Sequence, residues 1–166
     1  MDFKTMTYIQ SATEFNRASL KGFWETVWGR LTRRNVSLLS LDQTLPELPA
    51  KKLIYRGLQD IALEQIVGSA GRHQDFTPHF LPSRSSESSK DRWRIIYTLV
   101  VTGEGFPPVN LYKVGNLYFV EDGHHRVSVA NYLKWPTIQA YVTEISLSEA
   151  QEASGVSEVC LATSSL

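Results

Sequence analysis

At 166 residues, 42% hydrophobic and 20% charged, the chain has the composition of one compact globular domain with room for an extension, and nothing in it suggests wholesale disorder. Seventeen basic residues balance seventeen acidic ones, which excludes a generally nucleic-acid-coating protein, because that affinity comes mostly from unbalanced positive charge. The single cysteine, Cys160, excludes an intrachain disulfide framework and a thiolate-rich metal site and fits a reducing cytoplasm, while no apolar run approaches bilayer length and the N-terminus lacks a signal-peptide pattern.

Residues 11–34 read as an amphipathic helix. Leu20, Phe23, Trp24, Val27, Trp28 and Leu31 recur at three- and four-residue spacings, and Arg30, Arg33 and Arg34 sit near its C-terminal end, where the helix dipole favours cations. Pro46 and Pro49 then mark a connection to the main domain. Apolar spacing over residues 53–66 predicts an extended piece through Leu58 to Ala62, followed by a short helical turn ending at Gly68.

Residues 68–90 carry glycines, Pro78, Pro82 and a serine-rich tract, which is loop chemistry, and long loops within compact domains are often functional. Arg72, His73 and Asp75 are therefore candidate contributors to a site, with Phe76, Phe80 and Leu81 as anchors to the core. Ser88 or Ser89 can cap a helix running to about Val101, with Trp93, Ile96, Tyr97 and Val100 as its apolar stripe. Residues 109–114 alternate as a strand, Gly115-Asn116 suits a two-residue hairpin turn, and residues 117–120 form the returning strand. After Trp135-Pro136, residues 137–145 read as another strand, and a short helix near residues 148–153 precedes a polar tail.

The chemistry concentrates in Asp122-Gly123-His124-His125-Arg126. This stretch joins the strand 117–120 to a segment in which Val127, Ala130 and Leu133 recur at helical spacing, so Asp122-Gly123 is a turn between strand and helix. A helix N-terminus leaves its first N–H groups unpartnered and carries partial positive charge, and a glycine there leaves no Cβ in the way of a ligand. Two imidazoles and a guanidinium in succession complete an anion grip, suited above all to phosphate. A plainer reading makes Asp122 an N-cap, the histidines solvated first-turn residues and Arg126 a surface cation. Cations at a helix N-terminus are, however, disfavoured unless an anion offsets them. His124 and His125 are adjacent and lie in no His-x-x-x-His pattern, so spacing gives a transition-metal site no support.

Residues 57–145 resemble the N-terminal ParB-like domain of the ParB/sulfiredoxin superfamily. The resemblance rests on an Ile-rich lead-in at residues 58–66, a loop arginine, a helix, Pro-Pro-Val opening a hairpin, and Asp-Gly-His-His-Arg before an alanine-containing helix. It implies an α+β fold, a small mixed sheet packed with helices, preceded here by an N-terminal helical extension. On that basis residues 1–52 are extension and connection, 53–146 the domain and 147–166 a tail. The superfamily hosts unrelated activities, so branches are compared residue by residue. Sulfiredoxins carry Gly-Cys-His-Arg, whose cysteine does the chemistry; Gly123, His125 and Arg126 match, but His124 stands at the cysteine position and Cys160 is no substitute by motif. Chromosome-partitioning ParB proteins grip CTP phosphates with a Gly-Glu-Arg-Arg-type box, which Gly123 and Arg126 fit, and place a helix-turn-helix domain afterwards. About twenty residues follow Ile145, too few for such a domain, so sequence-specific DNA binding by that route is not expected. The short motif is most similar to the Asp-Gly-His-Thr-Arg of ADP-dependent free serine kinases, matched by Asp122, Gly123, His124 and Arg126, with Asp60 and Glu64 near the position of that branch's carboxylate base.

The expectation is a ParB-like domain that binds a nucleotide (ATP, ADP or CTP) or another phosphate-containing small molecule, with Mg²⁺ bridging to Asp122. Gly123, His124, His125, Arg126 and Arg72 would hold the ligand; in a phosphotransferase or nucleotide hydrolase, His124, His125 and Asp122 would be catalytic. The alternative is a non-catalytic, nucleotide-responsive module whose N-terminal helix contacts a protein partner, with a DNA-associated or nuclease role third. No membrane association is expected, and the cytoplasm is the expected location.

Overall fold

The computed structural model describes residues 2–33, 36–45, 52–72, 74–83 and 86–146. A six-stranded mixed sheet in the order β1-β3-β5-β4-β6-β2 carries the fold, formed by β1 (Leu39–Ser40), β2 (Lys52–Ala62), β3 (Ile66–Ser69), β4 (Val109–Val114), β5 (Leu117–Asp122) and β6 (Thr137–Ser146). The helices are α1 (Phe3–Leu31), the short α2 (Leu41–Thr44), α3 (Glu87–Val101) and α4 (His124–Tyr132). This is the expected α+β class, with a mixed sheet, packed helices and a preceding N-terminal helix. The β4–β5 hairpin forms as its alternation predicts, with Gly115 at φ +57° in the tight turn.

One sheet face and α4 make the principal core, in which Leu111, Val120, Ala140 and Val142 pack with Val127 and Ala130. Strand β6 shows why: its even positions Ile138, Ala140 and Val142 are buried while Thr137, Gln139 and Tyr141 are exposed, the period of two of a half-buried strand. The opposite side of α4 sends Val129 into a second cluster with Trp93 of α3 and with Phe15 and Ala18 of α1. α1 therefore shares a core with α3 and α4, and β1 extends the sheet beside β3.

Several elements depart from expectation. α1 begins eight residues before the predicted start, since nothing between Phe3 and Ser11 breaks a helix. Its buried residues are Thr7, Ser11, Phe15, Ala18, Gly22 and Gly29, and Leu20, Phe23, Trp24, Trp28 and Leu31 are exposed. Except for Phe15 the buried ones are small, and at Gly22 the reason is a close approach: a Cβ there would lie 2.6 Å from the Pro82 carbonyl oxygen. After β2 a 3₁₀ turn covers only Leu63–Gln65, and Gly68 belongs to β3 instead of ending a helical turn. The Phe119 ring explains that glycine, for a Cβ there would sit 2.5 Å from it. Ser86, not Ser88 or Ser89, caps α3, its hydroxyl accepting from the Ser89 N–H. The Pro46–Pro49 connection, Arg34, His73, Cys160 and the predicted helix at 148–153 lie outside the described residues.

Candidate functional site

Strands β3 and β5 run parallel side by side, with Ser69 opposite Val120, and their carboxyl ends open onto one place. β3 continues into the 70–72 loop and β5 into Gly123 and α4. Outside the carboxyl ends of parallel strands is where open α/β sheets characteristically place ligands. An open cavity of about 580 Å³ lies there. Its wall brings together Arg72, Asp122, Gly123, His124, His125 and Arg126, while Asp75, also a candidate from the sequence, does not line it.

Gly123 is the N-cap of α4, at φ +100°, and no side chain caps the helix. A Cβ here would approach Val109 Cγ1 to 2.6 Å and Arg126 Nε to 3.0 Å, so both backbone conformation and packing require glycine. Asp122 is the last residue of β5 and not the cap. The first turn of α4 contains no acid, so its free N–H groups and dipole are offset by nothing on the helix itself.

His124 and His125 are buried, in contrast to the solvated first-turn positions of the plainer reading. The Ser69 hydroxyl accepts from the N–H groups of Gly71 and Arg72 at 3.1 and 2.8 Å and lies 2.7 Å from His124 Nε2. Its own hydrogen is thus left to donate to Nε2, which fixes His124 as the Nδ1–H tautomer. Phe76 stacks on the His124 ring and meets His125 edge-on. His125 Nε2 faces Arg72 Nη1 at 3.5 Å and the Ser89 hydroxyl at 3.3 Å. Since Arg72 can only donate, Nε2 is the acceptor and Nδ1 carries the hydrogen. His125 is 8% exposed, and its Nδ1 has no hydrogen-bond partner among the described residues. Burial, then the Arg72 guanidinium, push both imidazoles down to about 4, so both are neutral donors at pH 7.

The cations divide between scaffold and cavity. Arg126 donates to the carbonyl oxygens of Pro107 and Pro108 and to the Asp122 carboxylate. The fork that sequence assigns to phosphate here fastens the β4 entry to α4. Arg72 is held by Asp75 at 2.7 Å and lies over the Phe76 ring while still lining the cavity. Arg92 of α3 also lines it and makes no ion pair among the described residues. Asp60 and Glu64 do not line it: Asp60 is on β2, at the far edge of the sheet, and Glu64 precedes the opposite end of β3. The carboxylates at the rim are Asp122 and Glu121, the latter accepting from the Tyr112 hydroxyl at 2.7 Å.

Sequence reading missed Ser69, Ser89, Arg92 and the stacking role of Phe76. The Gly-Ser-Ala-Gly-Arg run hinted at Ser69, because small residues there let backbone N–H groups converge. Among the described residues no group of three His, Cys, Asp or Glu side chains could hold a metal ion, and no helix is long and apolar enough to cross a membrane.

No family model matches this chain, and no curated protein matches it. Among solved structures, it is similar to sulfiredoxin from Arabidopsis thaliana at 20% identity and a TM-score of 0.37, over 51% of this chain and 82% of the other. At that level nothing of the other protein's chemistry is carried over.

Proposed function

We propose that this chain binds a nucleotide or another phosphate-bearing small molecule in the cavity at the carboxyl ends of β3 and β5, with a phosphate against the first turn of α4. The observation that carries this reading is the N-terminus of α4, with no side-chain cap and no acid in its first turn, opening at Gly123 onto a cavity that Arg72 and Arg92 also line. Arg72 and Arg92 supply charge, and Ile95 and Ile96 supply an apolar wall for the remainder of the ligand.

Mg²⁺ fits this arrangement when it arrives with the phosphate. It is commonly held by one or two carboxylates plus phosphate oxygens, and Asp122, 66% exposed at the rim, would offer the carboxylate oxygen that Arg126 does not hold. The ion would neutralise phosphate charge. Whether phosphoryl transfer or nucleotide hydrolysis follows depends on a base, and neutral histidines with pKa values near 4 serve better as donors to developing charge than as proton acceptors. That observation favours the second reading, a binding module without turnover.

Calorimetric titration with ATP, ADP, CTP, GTP and inorganic phosphate, each with and without Mg²⁺, tests the proposal. One phosphate-bearing ligand is expected to bind, and Arg72→Ala to weaken it at least about tenfold, the loss of one charge-assisted hydrogen bond. Absence of binding by every ligand, or unchanged affinity in Arg72→Ala, would refute the phosphate assignment. A phosphate-release assay on the same samples then separates enzyme from module.

A further inference from the structure

Eight of the fifteen large hydrophobic side chains exposed among the described residues belong to α1 and lie on its outer face. Leu20, Phe23, Trp24, Trp28 and Leu31 are all more than half exposed, with Trp24 at 58% and Trp28 at 67%. Nearer the N-terminus, Phe3, Met6 and Ile9 are half or more exposed as well. Aromatic side chains bury about 150–250 Å² each, so together these residues offer roughly 700 Å² of apolar surface, above the few hundred typical of a monomer and near the share of each partner in a standard interface.

The pattern on that face has the period of a helix pair. Met6, Ile9, Thr13, Asn16, Leu20, Phe23 and Val27 follow one another at alternating three- and four-residue steps over almost the whole helix. That 3.5-residue repeat suits a second helix with the same repeat, and a polar residue within such a seam fixes its register. A lipid surface would require neither the repeat nor Thr13 and Asn16 within it. Asn16 also lies near the middle of Phe3–Leu31, and its amide both donates and accepts. An antiparallel pair with its two-fold axis beside Asn16 sets Trp24 against the partner copy's Ile9 region and Val27 against its Met6 region, apolar on apolar at both ends. Buried residues of α1 on the opposite side keep the pair outside the core of each copy.

We propose that α1 is a dimerisation helix and that its occupant is a second copy of this chain, joined antiparallel through the Leu20–Trp24 face. Such an isologous contact closes on itself and yields a discrete dimer. This inference is independent of what the cavity binds.

Sedimentation equilibrium of the full chain across a wide concentration range tests it. The expected mass is twice 18.8 kDa, falling to 18.8 kDa in the double variant Phe23→Glu, Trp24→Glu with an unchanged circular dichroism spectrum. For the register, Ile9→Cys mixed with Trp24→Cys, each in a Cys160→Ser background, is expected to form a mixed disulfide faster than either alone forms its own. A mass of 18.8 kDa at every concentration overturns the proposal, as does a dimer that the double variant leaves intact. Monomers that instead bind vesicles of anionic phospholipid through this face also overturn it. Should the double variant misfold, the crosslinking result decides: no mixed disulfide means no antiparallel pair.

Discussion

α1 and α4 reverse each other's use of residue types. In α1 two tryptophans and two phenylalanines stand in solvent while Ser11, Gly22 and Gly29 are buried. In α4 two histidines open the helix from inside the protein, under Phe76 and Ser69. Hydropathy alone would exchange the two environments. The difference teaches that burial follows the space available and the partners present. At Gly22 α1 lies so close to the loop at Pro82 that no side chain fits inward, whereas α4 begins where a hydroxyl and a guanidinium meet the imidazole Nε2 atoms.

The largest effect should come from Trp93, which joins the two helices by packing on Phe15 and donating its indole N–H to Ser128 of α4. Trp93→Ala is expected to lower stability by about 3–5 kcal/mol, seen as a lower urea midpoint with little change of slope. A loss below 1 kcal/mol would mean that α1 and α4 do not share a core.

Acid should act next, chiefly on α4. An unfolded histidine takes up its proton near 6.5 and the buried pair near 4, so the unfolded state binds more protons between those values. Stability is complete above pH 6.5 and falls as pH drops toward 4, by up to about 2 kcal/mol for each histidine at pH 5. His79, raised by its hydrogen bond to Glu25 of α1, works in the opposite direction: its contribution is present below 6.5 and is lost as pH rises through its folded value. It is exposed, and the effect is correspondingly small. Chemical denaturation at pH 7 and pH 5 measures the balance; equal stability at both would contradict the burial of the α4 pair.

The smallest effect belongs to α1's outer face. Trp24→Gln, measured where the chain is monomeric, should change stability by no more than about 0.5 kcal/mol, because the side chain contributes to no cluster of the core. A loss of several kcal/mol would place Trp24 in the interior and restore the inward stripe that hydropathy suggests.

The hairpin, the β6 alternation and the strand-turn-helix at Gly123 were legible because each depends on near neighbours in sequence: a period of two, a two-residue turn and a glycine before a helix. Phe76, Phe80 and Leu81 were legible as loop anchors for the same reason, being apolar residues isolated among loop formers. The site was half legible. Local chemistry marked Asp122 through Arg126 and Arg72, and the fold brings them to one cavity. It could not show that Ser69, fifty-five residues away, sets the tautomer of His124, or that Arg126 turns to the Pro107 and Pro108 carbonyls.

By itself the sequence determined the kinds of elements and the position of the motif, since backbone preference and hydrophobic period act over a few residues. Tertiary structure decided which face of α1 is inside, that β3 continues through Gly68, and which cations stay with the cavity. Those outcomes depend on distances between segments far apart in the chain, where the close approach of one backbone or one ring outweighs the preference of any single side chain.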